Sequence, residues 1–117
     1  SPSQRANLGA GLTALIFLSR CDGHVDTAED DEIDTFTASW WIRAEIRAPF
    51  PEADIAAHIR RMAPDVEAFV VAIERIRHSE ELRTLVAGYA RRVVEADGRI
   101  APEEHHWIVK LVQWLDG

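Results

Sequence analysis

The chain is poor in cysteine, with a single Cys21 in 117 residues, and that scarcity removes two classes of protein at once. No internal disulfide framework and no cysteine-based zinc ribbon can form, and a lone thiol just before an Asp-Gly turn reads as a small buried apolar residue in a reducing compartment. Basic residues are also scarce, 13 against 20 acidic ones, for a net charge of −7. No nucleic-acid partner is expected on that ground, because phosphate binding depends on a basic surface that displaces counterions. Apolar stretches such as Ala14–Leu18 fall far short of the roughly 20 residues that cross a bilayer, so no transmembrane segment is expected. The Gly-x-Ser-x-Gly elbow and the phosphate-binding loop are missing too, which leaves little for nucleophilic catalysis.

What is present is an ordinary globular balance, 47% apolar and 28% charged, in a length that suits one domain with its own core. The opening Ser1-Pro2-Ser3 has neither Met nor a basic-then-apolar leader, and residues 1–117 read as a single domain cut from a longer protein.

The apolar periodicity is helical throughout. Leu8, Leu12, Leu15, Ile16 and Leu18 recur at spacings of three and four and predict an amphipathic helix over about 5–20, stopped at Asp22-Gly23. Thr27 with Asp30 resembles a capping box for a second helix, which carries Ile33, Phe36, Trp40 and Ile46 and runs to the Pro49-Phe50-Pro51 break. Pro51 starts a third with Ile55, Ile59 and Met62, closed by Pro64. Val66, Phe69, Val70, Ile73 and Ile76 stripe a fourth. Ser79 caps a fifth containing Leu82, Leu85, Val86, Tyr89 and Val93, and Pro102 opens a sixth with Trp107, Ile108, Leu111, Val112 and Leu115. No segment alternates as a strand does. The fold class expected is all-α, a compact bundle of about six helices.

One unit is written twice. The stretch CDGHVDTAEDDEI, residues 21–33, packs six carboxylates into thirteen positions, and ADGRIAPEEHHWI repeats its frame 75 residues on. Asp22, Gly23, Val25, Glu29 and Ile33 fall on Asp97, Gly98, Ile100, Glu104 and Ile108, while Leu18 falls on Val93. Each half is helix, Asp-Gly corner, apolar plug, helix, and two such units suggest pseudo-twofold symmetry.

The corner carboxylates admit two readings. Glu29 and Glu104 stand in the first helical turn, where the positive end of the dipole favours an anion, and Asp22 and Asp97 can accept from loop amides, so every acid has a structural task. Alternatively they gather oxygens for a hard divalent cation, calcium or magnesium, with Asp22, Asp26, Glu29, Asp97 and Glu104 as the metal ligands. The EF-hand pattern fails: counted from Asp22, Thr27 takes the glycine position and Ile33 that of the bidentate Glu. The first corner is the richer, with Asp30 near its three acids, whereas the second has Ala101 for Asp26 and an Arg99 that repels cations. Glu103 and His106 form one Glu-x-x-His pair, so a metal-dependent enzyme using the same carboxylates with His105 and His106 is the alternative. The arginines Arg60, Arg61, Arg75, Arg77, Arg91 and Arg92 form either a basic strip or salt-bridged helix surfaces. Trp40-Trp41 cannot both point inward, which puts one at a groove or an interface.

The doubled D-G-x-[VI]-x-x-x-E corner in an all-helical chain resembles the TerB-like family of tellurite-resistance domains, its second copy, Ala96 to Glu104, most closely. That resemblance implies a non-enzymatic bacterial cytoplasmic module of stress responses, able to handle a divalent cation through Asp22, Glu29, Asp97 and Glu104. Its implied partners are proteins or neighbouring domains of the same chain, peripheral to a membrane complex. Cys21, where the family commonly has Ala, and the surplus acids Asp30, Asp31 and Glu32 depart from the pattern.

Overall fold

The structure is a computed structural model. It describes the backbone of residues 2–21, 23, 27–43, 52–96 and 102–116, and the side chains of these except 2–5, 40–43, 52–54 and 116. Six helices follow in order: α1 (Pro2–Arg20), α2 (Thr27–Arg43), α3 (Glu52–Met62), α4 (Val66–Ile76), α5 (Glu80–Glu95) and α6 (Pro102–Asp116), with no strand among the described residues. The all-α bundle expected from periodicity is what the chain forms. Val25, Ile46, Ile100 and the Pro49-Phe50-Pro51 break lie outside the described residues, and so do the side chains of Trp40 and Trp41.

The 75-residue repeat holds in the helix boundaries. α1 ends at Arg20 and α5 at Glu95, while α2 begins at Thr27 and α6 at Pro102. Both pairs keep the sequence offset. Buried positions follow it as well, since Leu18 matches Val93 and Phe36 matches Leu111, all inaccessible to solvent. α2 packs on α5 and α6 packs on α1, the reciprocal contact that two interchanged units make. The helices between the units, α3 and α4, have no counterpart.

α1 is the axis of the bundle and touches every other helix. The sequence leads one to expect an amphipathic helix here; instead Leu8, Leu12, Ala14, Leu15, Ile16, Phe17 and Leu18 are all buried, which covers most of its circumference. Polar groups on so enclosed a helix must be satisfied within it, and they are. Thr13 Oγ1 donates to Gly9 O (2.8 Å) and Ser19 Oγ to Ile16 O (2.8 Å). At Gly11 a Cβ would stand 2.6 Å from Phe36 Cζ, so α2 reaches α1 only because that side chain is missing. Phe17 stacks on Phe69 of α4 (centroids 4.5 Å) and meets Trp107 of α6 edge-on (5.4 Å), which ties three helices together.

The helix ends are set by local chemistry. Gly23 has φ +83° and its N–H donates to Arg20 O (3.0 Å), the left-handed stop expected after α1. Asp65 Oδ1 accepts from Ala68 N (2.9 Å) and Ser79 Oγ from Leu82 N (3.2 Å), starting α4 and α5. The Ser79 cap is as expected; the Asp65 cap is an addition. Three residues placed on inward stripes face solvent instead: Met62, Val66 and Val70. The inward face of α4 is Phe69, Ala72, Ile73 and Ile76, and Val66 and Val70 fall to one side of it on a 3.6-residue turn.

Candidate functional site

Both corner glutamates point into the protein. Glu29 is the third residue of α2 and Glu104 the third of α6, and their exposures are 2% and 1%. Apart from Ser19 and Thr37 these are the only polar residues among the described ones to be so enclosed. Burying a carboxylate costs several kcal/mol unless charge or hydrogen bonds compensate, so two at equivalent positions are not incidental. Each lies at the positive end of its helix, which favours the ionised form. Asp22, Asp26 and Asp97, the other three acids assigned to the corners, lie outside the described residues, and among the described residues no group of three His, Cys, Asp or Glu side chains is arranged to hold a metal.

The surplus acids of α2 have a separate fate. Asp30 lies between Arg20 of α1 (3.3 Å) and Arg60 of α3 (3.6 Å), Asp34 pairs with Arg60 (3.1 Å), and Glu32 pairs with Arg92 of α5 (2.9 Å). Arg92 also lies over the Tyr89 ring, 4.5 Å from its centroid. Three helices thus each lend α2 a guanidinium. The sequence suggests Asp30 as the far end of a capping box with Thr27; the helix begins one residue earlier than that frame needs, at Thr27 itself, and the Asp30 side chain goes to arginines. These pairs remove Asp30 from the acids that could join Asp22, Asp26 and Glu29, and they single out Glu29 from the acidic run.

Arg60, Arg77 and Arg92 follow the salt-bridged reading, while Arg61 and Arg91 are exposed and make no ion pair among the described residues. Arg77 pairs with Glu74 (3.4 Å) and Arg75 Nε donates to Asn7 Oδ1 (2.9 Å), so the cations are distributed over α3, α4 and α5. Glu103, His105 and His106 are exposed, His106 lying edge-on to Trp107 (centroids 4.9 Å), while Glu104 turns inward. The histidines are therefore on the solvent side of α6. Cys21 is half-buried rather than buried, its Sγ donating to Leu18 O (3.3 Å) and packing against the core.

The family model for tellurite resistance protein TerB matches residues 9–116. The chain belongs to the TerB family. The match takes in both units of the repeat, the connecting α3 and α4, and both buried glutamates. No curated protein and no solved structure matches the chain. No helix in the described part of this TerB domain is long and apolar enough to cross a membrane.

Proposed function

We propose that this TerB domain is a non-enzymatic interaction module of bacterial stress responses that takes a divalent cation, calcium or magnesium, at its Asp-Gly corners. Asp22, Asp26 and Glu29 hold it at the first corner, Asp97 and Glu104 at the second, with the cation supplying charge neutralisation between the helices that meet there. The observation that carries this reading is the pair Glu29 and Glu104, buried at equivalent positions, while the other acids among the described residues lie at or near the surface. An all-oxygen, all-anionic donor set suits a hard cation and disfavours a soft one. The partner is a protein or a neighbouring domain, in the cytoplasm and peripheral to a membrane complex, and tellurite resistance is the response the family name points to.

Thermal melts with and without cation test the proposal. Saturating calcium or magnesium stabilises the parent by RT ln(1 + [L]/Kd), about 2.7 kcal/mol at a hundredfold excess over Kd. A Glu29→Gln, Glu104→Gln double variant loses that gain. A parent whose midpoint ignores both cations leaves the carboxylates as helix caps and defeats the proposal.

A further inference from the structure

We infer that the outer face of α4 is a self-association surface, on which a second copy of this chain docks with its own α4 antiparallel to the first. This rests on features remote from the acidic corners and does not depend on cation binding.

The face is apolar where a helix surface is ordinarily polar. Val71 is 66% exposed and Val70 beside it 45%, while Val66, 43% exposed, lies further round the helix. Valine is a poorer helix former than Ala, Lys or Glu, so nothing local favours three of them on a solvated surface. Beside Val71 runs an open groove of about 470 Å³ between α1 and α4, floored by Ala10, Ala68 and Ala72, with room for side chains from outside.

The charges around the valines identify the occupant. Around Val71 the N-terminal side of the face exposes Glu67, and the C-terminal side exposes Arg75 and His78. Glu67 and Arg75 are each four residues from Val71 and share its side of the helix, whereas Asp65 and Arg77, six residues away, turn to opposite flanks. The one acid in the basic half, Glu74, is already engaged by Arg77 (3.4 Å) and His78 (3.5 Å), which follow the end of the helix. A twofold axis passing Val71 at right angles to the helix lays the acidic half of each copy on the basic half of the other, with valine against valine at the centre. A parallel arrangement sets like charges together, and a uniformly charged partner fits only half of the face. A helix of 11 residues is about 16 Å long and cannot by itself bury the roughly 800 Å² per partner of a standard interface. The dimer is accordingly weak, with Kd on the order of 0.1–1 mM.

Sedimentation over a concentration series spanning that range tests it. The parent shifts from monomer to dimer, and Val71→Glu stays monomeric with an unchanged melting temperature because the site is exposed. Glu67→Arg and Arg75→Glu each weaken association at least tenfold, and an equimolar mixture of the two recovers it, since opposite signs again face each other. Should Arg75→Glu fold poorly, Val71→Cys in a Cys21→Ser background supplies a second measurement: a residue at the twofold centre cross-links to itself under mild oxidation, while Val109→Cys on α6 does not. A parent that sediments as a monomer throughout, a dimer indifferent to Val71→Glu, or equal cross-linking at both cysteines overturns the inference.

Discussion

Gly11 and Val86 meet in the buried core: a Cβ on Gly11 would lie 3.4 Å from Val86 Cγ2, and the two positions are equivalents in the 75-residue repeat. In a twofold arrangement the midpoint between equivalent atoms lies on the axis, so equivalents that touch mark where the axis passes. Here it passes between α1 and α5. Their crossing is asymmetric in chemistry, hydrogen against isopropyl, because Phe36 also fills the space over Gly11.

Gly11→Ala is therefore expected to destabilise the fold by about 1–3 kcal/mol, the usual cost of overpacking, despite alanine's better helix propensity. Gly88, in the middle of α5, has nothing within 4 Å of where a Cβ would be. Gly88→Ala should stabilise by up to about 1 kcal/mol. Urea midpoints that move in opposite directions bear this out, and movement in the same direction contradicts it.

Two turn residues give a second opposed pair. Gly23→Val is expected to cost about 1–2 kcal/mol at φ +83°; Gly98, its equivalent in the repeat and expected from the sequence to cost as much, lies outside the described residues. Ala63, with φ +49° after α3, is in the left-handed region without being glycine. Ala63→Gly should stabilise by roughly 0.5–1 kcal/mol, read as a higher melting temperature.

Among the acids of α2, Asp30→Ala is expected to cost about 1 kcal/mol, because it releases both Arg20 and Arg60, and the loss should shrink in high salt. Exposed Asp31, whose side chain makes no ion pair among the described residues, should tolerate the same change within about 0.5 kcal/mol. Equal losses at the two positions would show that the clamp contributes nothing specific.

Duplex DNA should not bind at physiological salt, given a net charge of −7 and the pairing of Arg60, Arg77 and Arg92 with carboxylates. A gel-shift titration with random duplex decides the matter; salt-sensitive micromolar binding contradicts it.

Much of this fold is legible in the sequence because its punctuation is local. Gly23, Ser79, Pro64 and Pro102 announce helix ends through their own backbone and side-chain chemistry, and the doubled Asp-Gly corner fixes the relation between the halves. The enclosure of α1 is written less openly, in the absence of any charged residue between Arg5 and Arg20, where leucine spacing draws attention to one face only. The outward turn of Val66 and Val70 depends on which of two adjacent apolar stripes of α4 meets α1 and α6, a choice made by Phe69 packing against Phe17 and Trp107. At the corners, Glu29 and Glu104 can be singled out by position, but not their burial, since a first-turn carboxylate is ordinarily solvated. Nor does the sequence reveal that Asp30, Glu32 and Asp34 belong to Arg20, Arg60 and Arg92, partners brought close only by tertiary packing.

The enclosure of α1 also has a consequence for synthesis. Its apolar surface leaves the ribosome before any of the helices that cover it, and α6, the last, is complete only at Asp116. At about 5–20 residues per second the nascent chain displays that helix for roughly 5–20 s. During this interval it is a ready target for chaperones that bind exposed apolar segments, and slowing of translation between α5 and α6 prolongs its exposure to aggregation.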